Sequence, residues 1–244
     1  MKLNKPFAVF DIDGTIVRWQ LYHSLAEKII ESNLMKKENV AIVSEAREKW
    51  QIRDDSYSFY DYENALIPVM QETLPTIDPD TYEKLCRQVF IHNKDRTYKY
   101  TTTLIKSLKK NKYLVFLISG SMDPIVKQLA EYFGCDDYAG SKPDPTKNPN
   151  LGQEIIMTHN NKAIALKEMI ERHSAEFKGS IGVGDTEGDI DMLSLVENPI
   201  AFNPNQALFE IAKKNNWKIV VERKNVIYNL SFKDGKYYLG SSNN

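Results

Sequence analysis

The chain has little cysteine: Cys86 and Cys135 are the only two among 244 residues. Two thiols cannot build a disulfide framework, and no CxxC pair or His/Cys cluster offers zinc ligands, so a reducing compartment is expected. An excess of one charge is also missing. Lys and Arg number 32 against 33 Asp and Glu, leaving a net charge of −1. That is too weak a field to recruit nucleic acid or an anionic membrane surface. The lysine pairs at 36–37, 109–110 and 213–214 are scattered and read as solvated helix faces. Long apolar runs are absent too. The first, at 7–10, is broken by Asp11, too short for a signal peptide or a membrane span, and no later stretch approaches membrane length. There is no internal repeat and no low-complexity segment, and the tail 240–244 is expected to fray. These absences leave a cytoplasmic globular protein, one large domain or a core with a smaller companion.

What is present is an alternation. Apolar runs ended by Gly, Asp or Ser at 7–12, 113–119 and 180–184 read as buried parallel strands, with weaker ones at 199–202 and 218–221. Helical spacing fills the gaps at 101–111, 124–133, 162–173, 189–196 and 206–215, the second opened by Pro124 and stopped by Gly134. Such alternation predicts a doubly wound three-layer α/β/α core with a parallel sheet, whose ligands bind at the carboxyl ends of the strands. The interval 18–98 differs. It reads as helices at 21–32, 40–50, 62–73 and 81–92 with no strand, a helical cap domain inserted after the first strand. The expected division is a core of 1–17 and 99–244 and a cap of 18–98. Asp234-Gly235 in SFKDGKYYL predicts a hairpin at the sheet edge.

The chemistry concentrates where strands end. Asp11 and Asp13 lie one residue apart in DIDGT, an arrangement that needs a cation, a shared proton or open water. An EF-hand is excluded, because its twelfth position would be Tyr22 and a strand precedes it. The glycines of GVGDTEGD have the wrong spacing for a dinucleotide fingerprint, and no GKS or GKT marks a P-loop. A solvated turn remains the plain alternative for DxDG alone. It weakens when the other strand ends are added. Asp185 and Asp189 share a face if a helix starts there. Ser119-Gly120-Ser121 supplies a hydroxyl and exposed backbone N–H groups just ahead of a helix start, an anion site. Lys162 opens another helix. Acids, hydroxyl, amide and lysine together describe a divalent-cation and phosphate site.

These four motifs, DIDGT at Asp11, SGS at Ser119, Lys162 and GDTEGD at Asp185, stand in the order found in the haloacid dehalogenase superfamily. The lysine falls about two dozen residues before the last acidic motif. The chain resembles that superfamily's phosphoserine phosphatase-like subgroup over 5–16 and 99–222, including NPIAFNPNQAL after the final motif. The resemblance implies a Mg²⁺-dependent phosphomonoester hydrolase with a small-molecule substrate. Asp11 would be the nucleophile that forms an aspartyl-phosphate, and Asp13 the general acid and base. Ser119, Gly120 and Lys162 would bind phosphate. Mg²⁺ would be held by Asp11, by the backbone carbonyl of Asp13 and by Asp185, with Asp189 in support. A phosphoserine phosphatase proper and a phosphomutase or phosphotransferase on the same fold are the alternatives.

Specificity in this subgroup lies in the inserted helices. A glutamate that binds the substrate ammonium there corresponds to Gln20 here, and an amide pairs less well with a cation. For the arginine that binds the substrate carboxylate, Arg47 and Arg53 are the candidates. Gly188 stands where those enzymes tend to have asparagine. Trp50, Tyr57, Phe59, Tyr60 and Tyr62, with Trp19 near the hinge, read either as packing or as an aromatic wall for a quaternary-ammonium head group such as phosphocholine. The four histidines, His23, His92, His159 and His173, match no ligand spacing.

Overall fold

The computed structural model describes residues 5–52, 58–143, 155–156, 161–233 and 236–241. The strands are β1 (Pro6–Phe10), β2 (Leu114–Met122), β3 (Asp137–Pro143), β4 (Ile155–Ile156), β5 (Glu176–Gly184), β6 (Asn198–Phe202), β7 (Lys218–Arg223), β8 (Val226–Lys233) and β9 (Lys236–Ser241). The helices are α1 (Leu21–Glu31), α2 (Lys37–Gln51), α3 (Phe59–Thr73), α4 (Pro79–Asn93), α5 (Lys99–Lys110), α6 (Asp123–Phe133), α7 (Lys162–His173), α8 (Ile190–Leu193) and α9 (Gln206–Lys214). The sheet order is β4-β3-β2-β1-β5-β6-β7-β8-β9. From β3 to β7 every pairing is parallel.

β1 and β2 are continuous hydrophobic runs because both faces of the sheet are covered. Alternate residues divide between two cores. Ala8, Phe10, Val115 and Leu117 face a layer built from α5, α6 and the inserted helices. Phe7, Val9, Phe116 and Ile118 face α7, α8 and α9, which supply Leu166, Met192 and Leu208. The three-layer α/β/α core read from the sequence is therefore present. The chain enters at β1, winds outward through β2 and β3, then returns across β1 to β5 and winds the other way. A doubly wound sheet opens a crevice at the carboxyl ends of the strands where the winding reverses, which here flanks β1.

Several boundaries differ from expectation. β3 was not foreseen, because DYAGSKP carries no apolar run; it sits beside the short β4 near the sheet edge, where one covered face suffices. The helix expected at 189–196 is a 3₁₀ turn, Glu187–Asp189, followed by the single short α8. It stops because the chain must turn into β6 at Asn198. The tail does not all fray: Gly240 and Ser241 pair with Asn229 and Tyr228 in the β8–β9 hairpin. The Asp234-Gly235 turn itself lies outside the described residues.

The interval 18–98 supplies α1–α4 and no strand of the sheet among its described residues. Local capping sets its helices. Ser58 and Asp61 form a reciprocal capping box at α3, and Asp78 accepts from the Thr81 N–H at α4. α4 packs on both α1 and α6, so the insertion shares its core with one face of the sheet.

Both chain crossings into this interval meet one buried carboxylate. Glu222 on β7 accepts from Arg18 Nη2 at 2.6 Å, from the Lys99 N–H at 3.2 Å and from the Tyr100 N–H at 2.8 Å. Arg18 Nε donates to the Thr97 carbonyl. Glu222→Ala strands two N–H donors in the first turn of α5. It is expected to lower the unfolding free energy by about 2 kcal/mol in urea denaturation. A change within about 0.5 kcal/mol, the range of an ordinary surface substitution, would show the clasp to be idle.

Candidate active site

β1 ends at Phe10, and the backbone holds register one residue further: the Asp11 N–H donates to the Val183 carbonyl of β5 at 2.9 Å. Asp11 is thus fixed at the lip of the crevice, 3% exposed. The chain then closes a tight loop, with the Ile16 and Val17 N–H groups returning to the Ile12 carbonyl. Gly14 makes this loop possible. Its φ is +80°, and a Cβ there would lie 2.0 Å from Asp185 Oδ2, so DxDG needs glycine both for conformation and for the close approach of Asp185. Gly184 serves the same end on β5, where a Cβ would meet Asp189 Cγ at 2.5 Å.

Lys162 opens α7 and runs into the crevice. Its Nζ donates to Asp11 Oδ1 and to Asp189 Oδ1, each at 2.6 Å, with every partner buried. Asp189 Oδ2 accepts from the N–H groups of Asp185 and Thr186 at 3.0 and 3.1 Å, so both of its oxygens are engaged. Asp185 Oδ1 accepts from Thr15 Oγ1 at 3.3 Å. Oxygens of Asp11, Asp185 and Asp189 lie within 4.8 Å of one another. Asp11 Oδ2 is buried without a hydrogen-bond partner.

Asp13 points elsewhere. Its Oδ1 accepts from the Leu21 N–H at 2.6 Å, and its Oδ2 from Ser119 Oγ at 2.5 Å and Ser121 Oγ at 2.9 Å. The Tyr22 N–H donates to Ser121 Oγ in turn. The first turn of α1, whose N–H groups have no partners within the helix, is thereby wired to Asp13 and β2. Both carboxylate oxygens of Asp13 are engaged. Ser119 is fully buried with its hydroxyl committed to Asp13, and the Gly120 carbonyl accepts from Ser141.

Burial dominates the electrostatics. It pushes Asp11 up to about 7, helped by Asp189 and Asp13 and opposed by Lys162. Burial likewise raises Asp185 well above an ordinary carboxylate, with Asp11 and Asp189 adding to the shift. Asp13 is raised by burial against the pull of its three donors. Burial alone would lower Lys162, but Asp11 and Asp189 outweigh it and keep the ammonium charged. One lysine among so many acids is too little positive charge. An unpartnered Asp11 oxygen beside Asp185 is the donor set that a hard divalent cation takes, so the residues fit such an ion.

The more distant candidates are less well joined. Gln20 is the N-cap residue of α1, half-buried, with no side-chain capping bond. Arg47 is taken by Glu27 at 3.0 Å. Arg53, Tyr57 and His159 lie outside the described residues. Trp19, Trp50, Phe59 and Tyr62 meet in one cluster, whereas Tyr60 is 65% exposed. His23 sits inside this cluster, stacked on Phe59, and burial lowers its pKa to about 3. Ser121 and the Leu21 N–H carried no assigned role in the sequence reading. The signal for Ser121 was its distance of two from Ser119, which puts both side chains on one side of an extended strand. The Leu21 N–H left no trace in residue identity.

A doubly wound sheet whose reversal point gathers three acids and a buried lysine places the chain among α/β folds with an acidic crevice at the strand ends. The model for haloacid dehalogenase-like hydrolases matches residues 8–194, and the chain belongs to that family. Phosphoserine phosphatase SerB2 of Mycobacterium tuberculosis (strain ATCC 25618 / H37Rv) is 24% identical over 210 residues, which is 85% of this chain and 46% of that protein. The chain thus spans about half the length of this curated relative. A solved structure of a protein of unknown function from Bordetella pertussis Tohama I superposes with a TM-score of 0.66 at 16% identity, covering 88% of this chain and 98% of the other. A phospho-aspartyl intermediate analogue of phosphoserine phosphatase superposes with a TM-score of 0.56 at 19% identity, covering 91% and 95%. These superpositions carry the fold. No helix among the described residues is long and apolar enough to cross a membrane.

Proposed function

We propose that the chain is a Mg²⁺-dependent phosphomonoesterase acting on a small phosphorylated metabolite. The observation that carries this reading is the buried Lys162 clasped by Asp11 and Asp189, with Asp11 Oδ2 left unpartnered beside Asp185. Mg²⁺ held by Asp11, Asp185 and the Asp13 carbonyl would offset the repulsion between an anionic nucleophile and an anionic phosphate and polarise a phosphoryl oxygen.

The rest of the chemistry belongs to the side chains. A carboxylate oxygen of Asp11 attacks phosphorus, the P–O bond to the alcohol breaks, and an aspartyl-phosphate forms. Asp13 donates a proton to the departing alkoxide oxygen. It then accepts one from the water that attacks phosphorus and regenerates the Asp11 carboxylate. Burial favours the protonated Asp13 needed for the first step. Lys162 holds Asp11 in place and stays charged beside the transferring group, while the Gly120 N–H and Ser119, once its hydroxyl turns from Asp13, meet the remaining phosphoryl oxygens. The helices of 18–98 act as a cap over this crevice and exclude water from it. In this reading Gln20 is the residue of the insertion that meets the leaving group.

Phosphate release from a panel of small phosphomonoesters with Mg²⁺, repeated after EDTA, tests this. Turnover that falls below about a hundredth on chelation and returns with Mg²⁺ is expected. Turnover indifferent to EDTA would reject the metal-dependent reading.

A further inference from the structure

The two oxygens of Asp13 have unlike surroundings. Oδ1 accepts from the Leu21 N–H at 2.6 Å. A backbone N–H only donates, so Oδ1 is held as an acceptor, and the proton that general-acid work needs sits on Oδ2. Two hydroxyls reach Oδ2: Ser119 Oγ at 2.5 Å and Ser121 Oγ at 2.9 Å. Only one of them is free to stay. In the proposed reaction Ser119 turns to a phosphoryl oxygen and gives up its bond to Asp13.

Ser121 is placed to remain. It is 2% exposed, and its Oγ accepts from the Tyr22 N–H at 3.1 Å. With that lone pair filled, the hydroxyl hydrogen is directed to Asp13 Oδ2. Leu21 and Tyr22 are consecutive residues at the start of α1. Asp13, Ser121 and these two N–H groups therefore close a ring that joins the loop after β1, the end of β2 and α1. One carboxyl oxygen is fixed by Leu21 and the other by Ser121, which sets the plane of the group even when Ser119 has turned away.

We infer that Ser121 is a positioning residue for Asp13, keeping the Oδ2 proton aimed at the leaving oxygen while Ser119 serves the phosphoryl group. This rests on the phosphomonoesterase reading and deepens it. The proton balance closes over the two steps. Asp13 Oδ2 gives its proton to the departing oxygen as the P–O bond breaks, and takes one from the water that hydrolyses the aspartyl-phosphate. In both protonation states Oδ2 keeps a lone pair for the Ser121 hydroxyl, so the bond that aims the group survives the whole cycle.

Phenyl phosphate and p-nitrophenyl phosphate, each with Mg²⁺, test this. The two esters are close in shape, but phenolate is the poorer leaving group and has the greater need of a proton. Ser121→Ala should lose about tenfold more kcat/KM on phenyl phosphate than on p-nitrophenyl phosphate. Ser121→Cys, which keeps a weak S–H donor, should lose less, and it carries the comparison if Ser121→Ala gives no cooperative thermal melt. Asp13→Asn should show the same split in larger measure. Adding Ser121→Ala to Asp13→Asn should change kcat/KM by no more than about twofold, because a residue that acts through Asp13 then has nothing left to aim. Equal losses on both esters, or a full further loss in the double variant, would make Ser121 a structural bond alone and overturn its role. A parent that cleaves p-nitrophenyl phosphate but not phenyl phosphate has no working general acid, which overturns it too. If the parent cleaves neither ester, the phosphomonoesterase reading falls, and this inference with it.

Discussion

Asp11→Asn is expected to lose turnover of every phosphomonoester by about 10⁴-fold or more in kcat, the scale seen when a covalent nucleophile is removed. The amide keeps the shape of the side chain and can still accept from Lys162, but it cannot attack phosphorus. Folding is not expected to suffer. The Asp11 carboxyl is pushed from 3.8 up to about 7 by burial. An acid that is weaker in the fold than in the unfolded chain opposes folding as pH rises from its unfolded value through its folded one. Removing it should therefore leave the melting temperature in EDTA at pH 8 unchanged or higher. Mass spectrometry of a quenched reaction adds a second readout: the parent should carry a phosphoryl adduct that the variant lacks. Residual turnover within about tenfold of the parent would place the nucleophile elsewhere.

Lys162→Ala has the largest expected effect on stability. Its Nζ lies 2.6 Å from both Asp11 and Asp189, whose side chains are 5% and 0% exposed. Deleting one partner of a buried pair leaves uncompensated charge, a loss of about 3–5 kcal/mol. The loss depends on pH in a definite direction. With the lysine gone Asp11 is still harder to ionise than in the parent, where it already sits at about 7. Near pH 8 the parent ionises Asp11 against the Lys162 ammonium, a stabilisation the variant lacks, and the full deficit appears. As pH falls through 7 toward 5, Asp11 takes up a proton and the deficit shrinks. Urea unfolding of both proteins in EDTA at pH 8 and pH 5.5 checks this, and a deficit of equal size at both would contradict it. Activity should fall as well, because in the proposed mechanism the same lysine orients Asp11 and stands beside the transferring phosphoryl group.

The sequence by itself determined the layers and the ends of the strands. Runs such as VFDID and SIGVGD alternate hydrophobic residues with abrupt acids, and that pattern depends only on local periodicity and on the cost of burying charge. Asp11, Lys162 and Asp185 could be named because each closes or opens an element that periodicity defines. Tertiary structure decided what those residues touch. DYAGSKP became β3 only because β2 offered it a partner, which no local pattern records. Asp13 stands two residues from Asp11, yet it turns to Ser119, Ser121 and the first turn of α1, while Asp189 joins Asp11 across the lysine. Glu222 binds both crossings of the inserted helices from a position that looks like any other glutamate. The physical reason is range. Hydrophobic periodicity is written along the chain, whereas hydrogen bonds and Coulomb forces act between groups that only folding brings together.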